Sequence, residues 1–149
     1  MKENLPVRKK IRLQDYDYSE ENMYFITICV KNRLQILGKI IEDNIKLTKQ
    51  GNVVKQNINK LEQIYKNIII DEYIIMPNHI HILILVNYKD SATISKIIKH
   101  LKTNISREIE YSVWQKSFYE HIIRNEKEYL KTKEYIKSNV INWRKDKYF

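Results

Sequence analysis

Disulfide chemistry is closed to this chain, because Cys29 is its one cysteine and no internal bridge can form. Its place in a strand-like run reads as a small core residue, fits a reducing environment and predicts a cytoplasmic protein. No apolar run approaches the roughly 20 residues of a membrane span, so a membrane helix is not expected. The opening, Met1-Lys2-Glu3-Asn4-Leu5-Pro6, lacks the apolar core of a signal peptide. Repeats, low-complexity tracts and linkers are missing too. The 149 residues are therefore expected to form one domain, 1–149, around a single core. Acidic residues are also in short supply, 18 against 27 Lys and Arg, for a net charge of +9. That surplus favours an anionic polymer as partner, without distinguishing DNA from RNA. A hydrophobic content of 43% excludes a disordered basic tail.

What the chain does have is concentrated at Pro77-Asn78-His79-Ile80-His81-Ile82-Leu83-Ile84-Leu85. In an extended strand, side chains alternate between faces, so positions 79 and 81 project the same way. Two imidazoles on one face at the head of a buried strand can grip one divalent metal if a third ligand arrives from elsewhere. The plainer alternative is a pair of strand histidines that only satisfy hydrogen bonds. Two polar rings at the start of a buried strand need a stronger reason than that.

Around this motif the pattern predicts alternating elements. Residues 1–20 read as a basic N-terminal arm, with Arg8, Lys9, Lys10 and Arg12 placed to lie along a phosphate backbone. A strand is expected over Tyr24–Val30. A hairpin follows, turning at Asp43-Asn44 between 39–41 and 45–47. Val54, Ile58, Leu61 and Tyr65 recur at helical spacing behind Thr48, an expected N-cap. Strands over 68–76 and 80–86 flank the Pro77-Asn78 break. A second helix is expected from Ser91 to Glu110, with Ile94, Ile97, Ile98, Leu101, Ile105 and Ile109 as its buried stripe. Lys96, Lys99, His100 and Lys102 fall on its other faces, His100 as a solvated residue. A last strand over 117–123 and a third helix from Glu126 to Trp143 complete the order. This order predicts an α+β fold, a ferredoxin-like sandwich whose mainly antiparallel sheet is covered by helices.

The last helix adds the missing chemistry. Ile136, Val140 and Trp143 follow the i, i+4, i+7 rule and are expected to face the sheet. Tyr135 and Asn139, four apart, lie on the shoulder of that stripe, half buried and half wet. A phenol beside two metal-bound histidines is a plausible nucleophile for phosphorus. The Asn139 amide oxygen suits Mg²⁺ or Mn²⁺ as third ligand, with Glu128, seven residues before Tyr135, in reserve. Most of the chain's 11 tyrosines must be packing residues, and Tyr119 and Tyr129 stand next in line as nucleophiles. Trp114 reads as a core anchor, His121 as a structural or DNA-contacting residue.

These residues resemble the single-tyrosine transposases of the HUH class, most closely the REP-associated branch. The likeness begins at Arg12-Leu13-Gln14-Asp15-Tyr16-Asp17-Tyr18 and Tyr24-Phe25-Ile26-Thr27. It continues through 71–81, ending in Met76-Pro77-Asn78-His79-Ile80-His81, then through 113–125 with Trp114-Gln115, and closes at Tyr135-Ile136-Lys137-Ser138-Asn139. The family usually has Asn-Pro where this chain reads Asn139-Val140. The resemblance implies a transposase-type, site-specific single-strand endonuclease and strand transferase, with a third helix carrying the nucleophile. Tyr135 would attack single-stranded DNA beside a hairpin, leaving a 5′-phosphotyrosine and a free 3′-hydroxyl. His79, His81 and Asn139 would hold Mg²⁺ or Mn²⁺. DNA contacts are expected from Lys9, Lys10, Arg12, Lys96, Lys99 and Arg124. A homodimer is compatible with the mobile relatives, which share sites between subunits. Two other readings keep the fold: a catalytically lapsed hairpin-binding protein, and an RNA-binding module stacking bases on Tyr24, Phe25, Phe118 and Tyr119. The RNA reading leaves the histidine pair unexplained.

Overall fold

The computed structural model describes residues 22–88, 90 and 92–143. The basic arm with Arg8, Lys9, Lys10 and Arg12, and the first string of the family likeness, lie outside the described residues. Four strands form the main sheet: β1 (Asn22–Cys29), β4 (Ile68–Met76), β5 (His79–Val86) and β6 (Tyr119–Ile123). A separate hairpin consists of β2 (Gly38–Ile41) and β3 (Asn44–Leu47). The helices are α1 (Lys49–Ile64), α2 (Ile94–Ile109) and α3 (Glu126–Lys137). The sheet order is β4-β5-β1-β6, every pair antiparallel. With the hairpin set aside, that is the ferredoxin-like arrangement expected from the element order.

Local chemistry explains the boundaries. Thr48 caps α1 as expected, its hydroxyl accepting from Gly51 N at 3.0 Å while its own backbone N–H donates to Leu37 O. A Cβ at position 51 would run into the Leu37 carbonyl, so glycine is what lets this first turn dock so closely. The hairpin turn falls on Glu42-Asp43, one residue earlier than expected. Both residues have positive φ, 50° and 63°, as a two-residue turn of the type that matches strand twist requires. The second helix begins at Ile94 rather than Ser91, because Thr93 is the cap and its hydroxyl accepts from Lys96 N.

The sheet buries both faces. Ile80, Ile82 and Ile84 of β5, with Ile26 and Ile28 of β1, pack beneath Val54, Ile58 and Leu61 of α1 and Ile97, Ile98 and Leu101 of α2. The residues between them, Leu83 and Leu85 of β5 and Met23 of β1, meet Tyr129 and Ile136 of α3 on the opposite face. At roughly 25 cal/mol per Å² of apolar surface, each fully buried isoleucine contributes about 2 kcal/mol.

One irregularity bears on the site. The β4–β5 register shifts between Ile70 and Glu72, leaving Asp71 as the extra residue of a bulge. Its carboxylate is fully buried, accepts from Tyr129 Oη at 2.9 Å and lies 3.7 Å from Lys133 Nζ. The same ammonium sits 5.4 Å above the Tyr129 ring. These contacts tie α3 to β4 one turn before Tyr135.

Candidate active site

Met76 and His79 pair directly across the two-residue Pro77-Asn78 turn, so His79 is the first residue of β5. Alternation then carries His79 and His81 to the α3 face, with their ring centroids 4.7 Å apart and both side chains fully buried. Asn78 Oδ1 lies 2.7 Å from His79 Nδ1, while Asn78 Nδ2 donates to Arg33 O at 3.5 Å. A carbonyl oxygen only accepts, so His79 Nδ1 is the donor in this contact. Thr27 Oγ1 engages His81 Nδ1 at 2.8 Å from the neighbouring strand, where the two residues are in register. Both imidazoles are therefore oriented through Nδ1, the arrangement that presents Nε2 to a ligand.

The chain of α3 and the turn beyond it passes over this pair. The Tyr135 ring stands 5.2 Å from that of His81 and edge-on to Phe25 at 6.1 Å, with 36% of its surface exposed. Phe25 itself stacks on His81 at 5.1 Å. Trp143 stacks on His79 at 6.2 Å. Asn139, between Tyr135 and Trp143 in sequence, is 2% exposed.

The third helix stops at Lys137, well short of Trp143, and this corrects the expected stripe. Ser138 Oγ and N both donate to Glu134 O, and Asn139 N then bonds to Ile136 O in a tighter i−3 turn. At three residues per turn, position 139 falls in line with 136. Asn139 consequently turns inward, and Val140 is only half buried. The absent proline after Asn139 costs the fold no helix end, because the helix has already ended.

A divalent ion would need more than the pair. Among the described residues no cluster of three His, Cys, Asp or Glu side chains exists. Glu128 is thereby removed as reserve ligand: its Oε1 accepts from Arg124 N at 2.7 Å and its Oε2 lies 3.4 Å from His121 Nε2. That backbone hydrogen bond holds its carboxyl below the usual carboxylate range, helped by His121 and opposed by partial burial. Two imidazoles oriented through Nδ1 and the buried Asn139 amide are donor types that Mg²⁺ or Mn²⁺ can accept.

Other expected residues fall differently. Tyr129 is buried with its hydroxyl given to Asp71, which disfavours it as a nucleophile. Tyr119 pairs with Thr27 on β1, so it shares the histidine face, and it is 57% exposed. His100 is not simply solvated: its Nδ1 lies 2.6 Å from Tyr65 Oη. Trp114 is a core anchor, bridged to Val30 and 5% exposed. Lys96, Lys99 and Arg124 are exposed. Lys96 and Lys99 ride on α2, which covers the face opposite the histidines. The parts that Thr27, Phe25, Asn78 and Asp71 play in orienting the site escaped sequence reasoning. Period-two spacing of Phe25 and Thr27 on a strand was the available signal, but their partnership with His81 depends on register.

A similar fold occurs in a solved transposase structure. The solved structure of a REP-associated tyrosine transposase bound to a REP hairpin matches with a TM-score of 0.69 at 23% identity, covering 86% of this chain and 72% of that one. The family description "Transposase IS200 like" matches residues 18–139, and the chain belongs to that family. An uncharacterized protein of Haemophilus influenzae is 37% identical over 168 aligned positions, spanning 95% of this chain and 93% of its own length. No described helix is long and apolar enough to cross a membrane.

Proposed function

We propose that the protein is a single-strand DNA endonuclease and strand transferase that acts beside hairpins, with Tyr135 as nucleophile. The observation that carries this reading is the Tyr135 ring 5.2 Å from His81, on the one sheet face that holds both histidines. Membership of the IS200-like transposase family supports the reaction class, and the hairpin-bound transposase of the same fold supports hairpin DNA as partner.

His79, His81 and Asn139 would hold a divalent metal, which when bound supplies Lewis-acid charge to a phosphate oxygen. The Tyr135 hydroxyl oxygen attacks phosphorus and loses its proton to solvent. The new O–P bond forms as the bond to the 3′ oxygen breaks, and that oxygen takes up a proton. The products are a 5′-phosphotyrosine and a free 3′-hydroxyl. A second 3′-hydroxyl reverses the chemistry on the phosphotyrosine and rejoins DNA with no external energy source. Phe25 and Thr27 keep His81 in place, and the Asp71–Tyr129–Lys133 contacts keep α3 seated while Tyr135 reacts.

A denaturing gel of protein with hairpin-bearing single strands tests the reading. Wild type should form a covalent adduct, and Tyr135→Phe should form none while still binding the hairpin, since one hydroxyl is removed and the ring stays. Adduct persisting in that variant would move the nucleophile to Tyr119, which shares the face.

A further inference from the structure

Away from its core stripe, α2 carries polar residues spaced three and four apart, which form one continuous flank of the helix. Lys99, Lys102, Thr103, Ser106 and Arg107 belong to it, with Glu110 at its end. This flank forms one wall of a groove of about 1330 Å³, which a smaller hollow extends toward Ser95 through the shared Lys102 and Lys116. The opposite wall comes from the 31–33 turn after β1 and the loop before β6. Lys31, Arg33 and Lys116 bring the groove's cations to six, against the single carboxylate of Glu110.

Three details mark it as built for a ligand. Lys102 Nζ donates to three consecutive carbonyls, Gln115 O, Lys116 O and Ser117 O, at 2.9 to 3.3 Å. This clamp fixes the loop and places a positive charge at the groove's waist. Trp114 lines the groove while 5% exposed, and among the described residues its indole Nε1–H has no hydrogen-bond acceptor. Tyr111, half exposed at the same wall, offers a ring face.

We infer that this groove binds a single-stranded segment of the DNA substrate along α2, phosphates toward the cations and bases toward the aromatic wall. The inference rests on the strand-transfer reading for its choice of DNA. Lysines and arginines with short hydroxyl side chains are the usual phosphate contacts, and aromatic rings accept unpaired bases of any sequence. The 16 residues of α2 rise about 24 Å, room for several nucleotides of single strand. The groove opens beside β1 just past Cys29, the register partner of His79.

Lys99 and Arg107 are exposed, so reversing both leaves the core intact. Fluorescence anisotropy of the full chain with labelled oligothymidylate should show Lys99→Glu/Arg107→Glu binding at least about tenfold more weakly. Its log K against log salt should be shallower by about 1.4, because two phosphates are no longer neutralised and each accounts for ~0.7 of the slope. A blunt hairpin without tails should bind as in wild type. Lys55→Glu/Lys60→Glu, on the exposed side of α1, changes net charge equally and should leave the oligothymidylate slope unchanged. The milder Lys99→Gln/Arg107→Gln should reproduce the slope change if reversal perturbs folding. Equal weakening by the α1 and α2 reversals, or loss of blunt-hairpin binding in place of oligothymidylate binding, would overturn the inference. Adduct formation is read separately. A wild type that forms no adduct yet shows the expected binding differences would sink the transferase reading and leave the groove standing.

Discussion

The two faces of the sheet are made from the same strands and do opposite things. On the α1/α2 face, β5 presents Ile80, Ile82 and Ile84 to a dry, isoleucine-rich core. On the α3 face the alternate residues begin with His79 and His81, and only Leu83 and Leu85 are apolar. The first face needs nothing but volume and burial. The second must satisfy polar groups inside the fold, and it does so with partners drawn from other strands and turns: Thr27, Asn78, and the Asp71 bulge with Tyr129. Stability and the proposed chemistry are thus separated by a single residue step along one strand. The helix that covers the chemical side is held by a smaller apolar cluster and a polar latch.

The largest effect should come from striking each face in turn. His79→Ala/His81→Ala should lower adduct formation by orders of magnitude and abolish metal binding by calorimetry, with modest loss of melting temperature. Ile82→Ala, one residue from His81 on the other face, should cost about 2–5 kcal/mol in urea unfolding. Its metal affinity should remain that of wild type. If EDTA leaves wild-type cleavage unchanged, the division of labour fails on the chemical side.

Asn139→Ala sharpens the comparison. If the amide serves the metal, cleavage should fall about 10- to 100-fold, in line with losses near metal sites, with partial rescue by raised Mn²⁺ and unchanged hairpin affinity. A drop in melting temperature that Mn²⁺ does not relieve would mean the buried amide serves packing of the turn. Asp71→Asn should cost about 1–3 kcal/mol, because a buried charge-assisted hydrogen bond is weakened and Lys133 loses its counter-charge. Hydrogen exchange in that variant should rise in α3 and stay low in α1 and α2.

The smallest effect lies at the foot of α3. Arg124 N–H holds the Glu128 carboxyl below its usual 4.5. A lowered folded value stabilises the protein above the unfolded value, and that contribution disappears as pH falls through the folded one. The melting temperatures of wild type and Glu128→Gln should therefore converge as pH falls below 4.5 and through the lowered folded value. A gap that is constant with pH would remove Glu128 from the stability balance.

Alternation and helical spacing are local properties, so a single sequence already determined much here. The histidine pair on one face, the core stripes of α1 and α2, the Thr48 cap and the ferredoxin-like order all follow from repeats of two or 3.6 residues. Tyr135 was singled out with Asn139 on one helix shoulder, and the structure keeps Tyr135 beside the pair while Asn139 turns inward. The end of α3 was not, since apolar spacing continues through Trp143 while the backbone tightens at Ser138 and swings Asn139 inward. Other features depend on which distant residues meet. Register sets Thr27 against His81, a one-residue bulge turns Asp71 toward Tyr129, and a turn brings Asn78 between Arg33 and His79. Nothing local distinguishes these partners from other threonines, aspartates and asparagines. Only the packed sheet, by pairing strands far apart in the chain, decided which of them would orient the site.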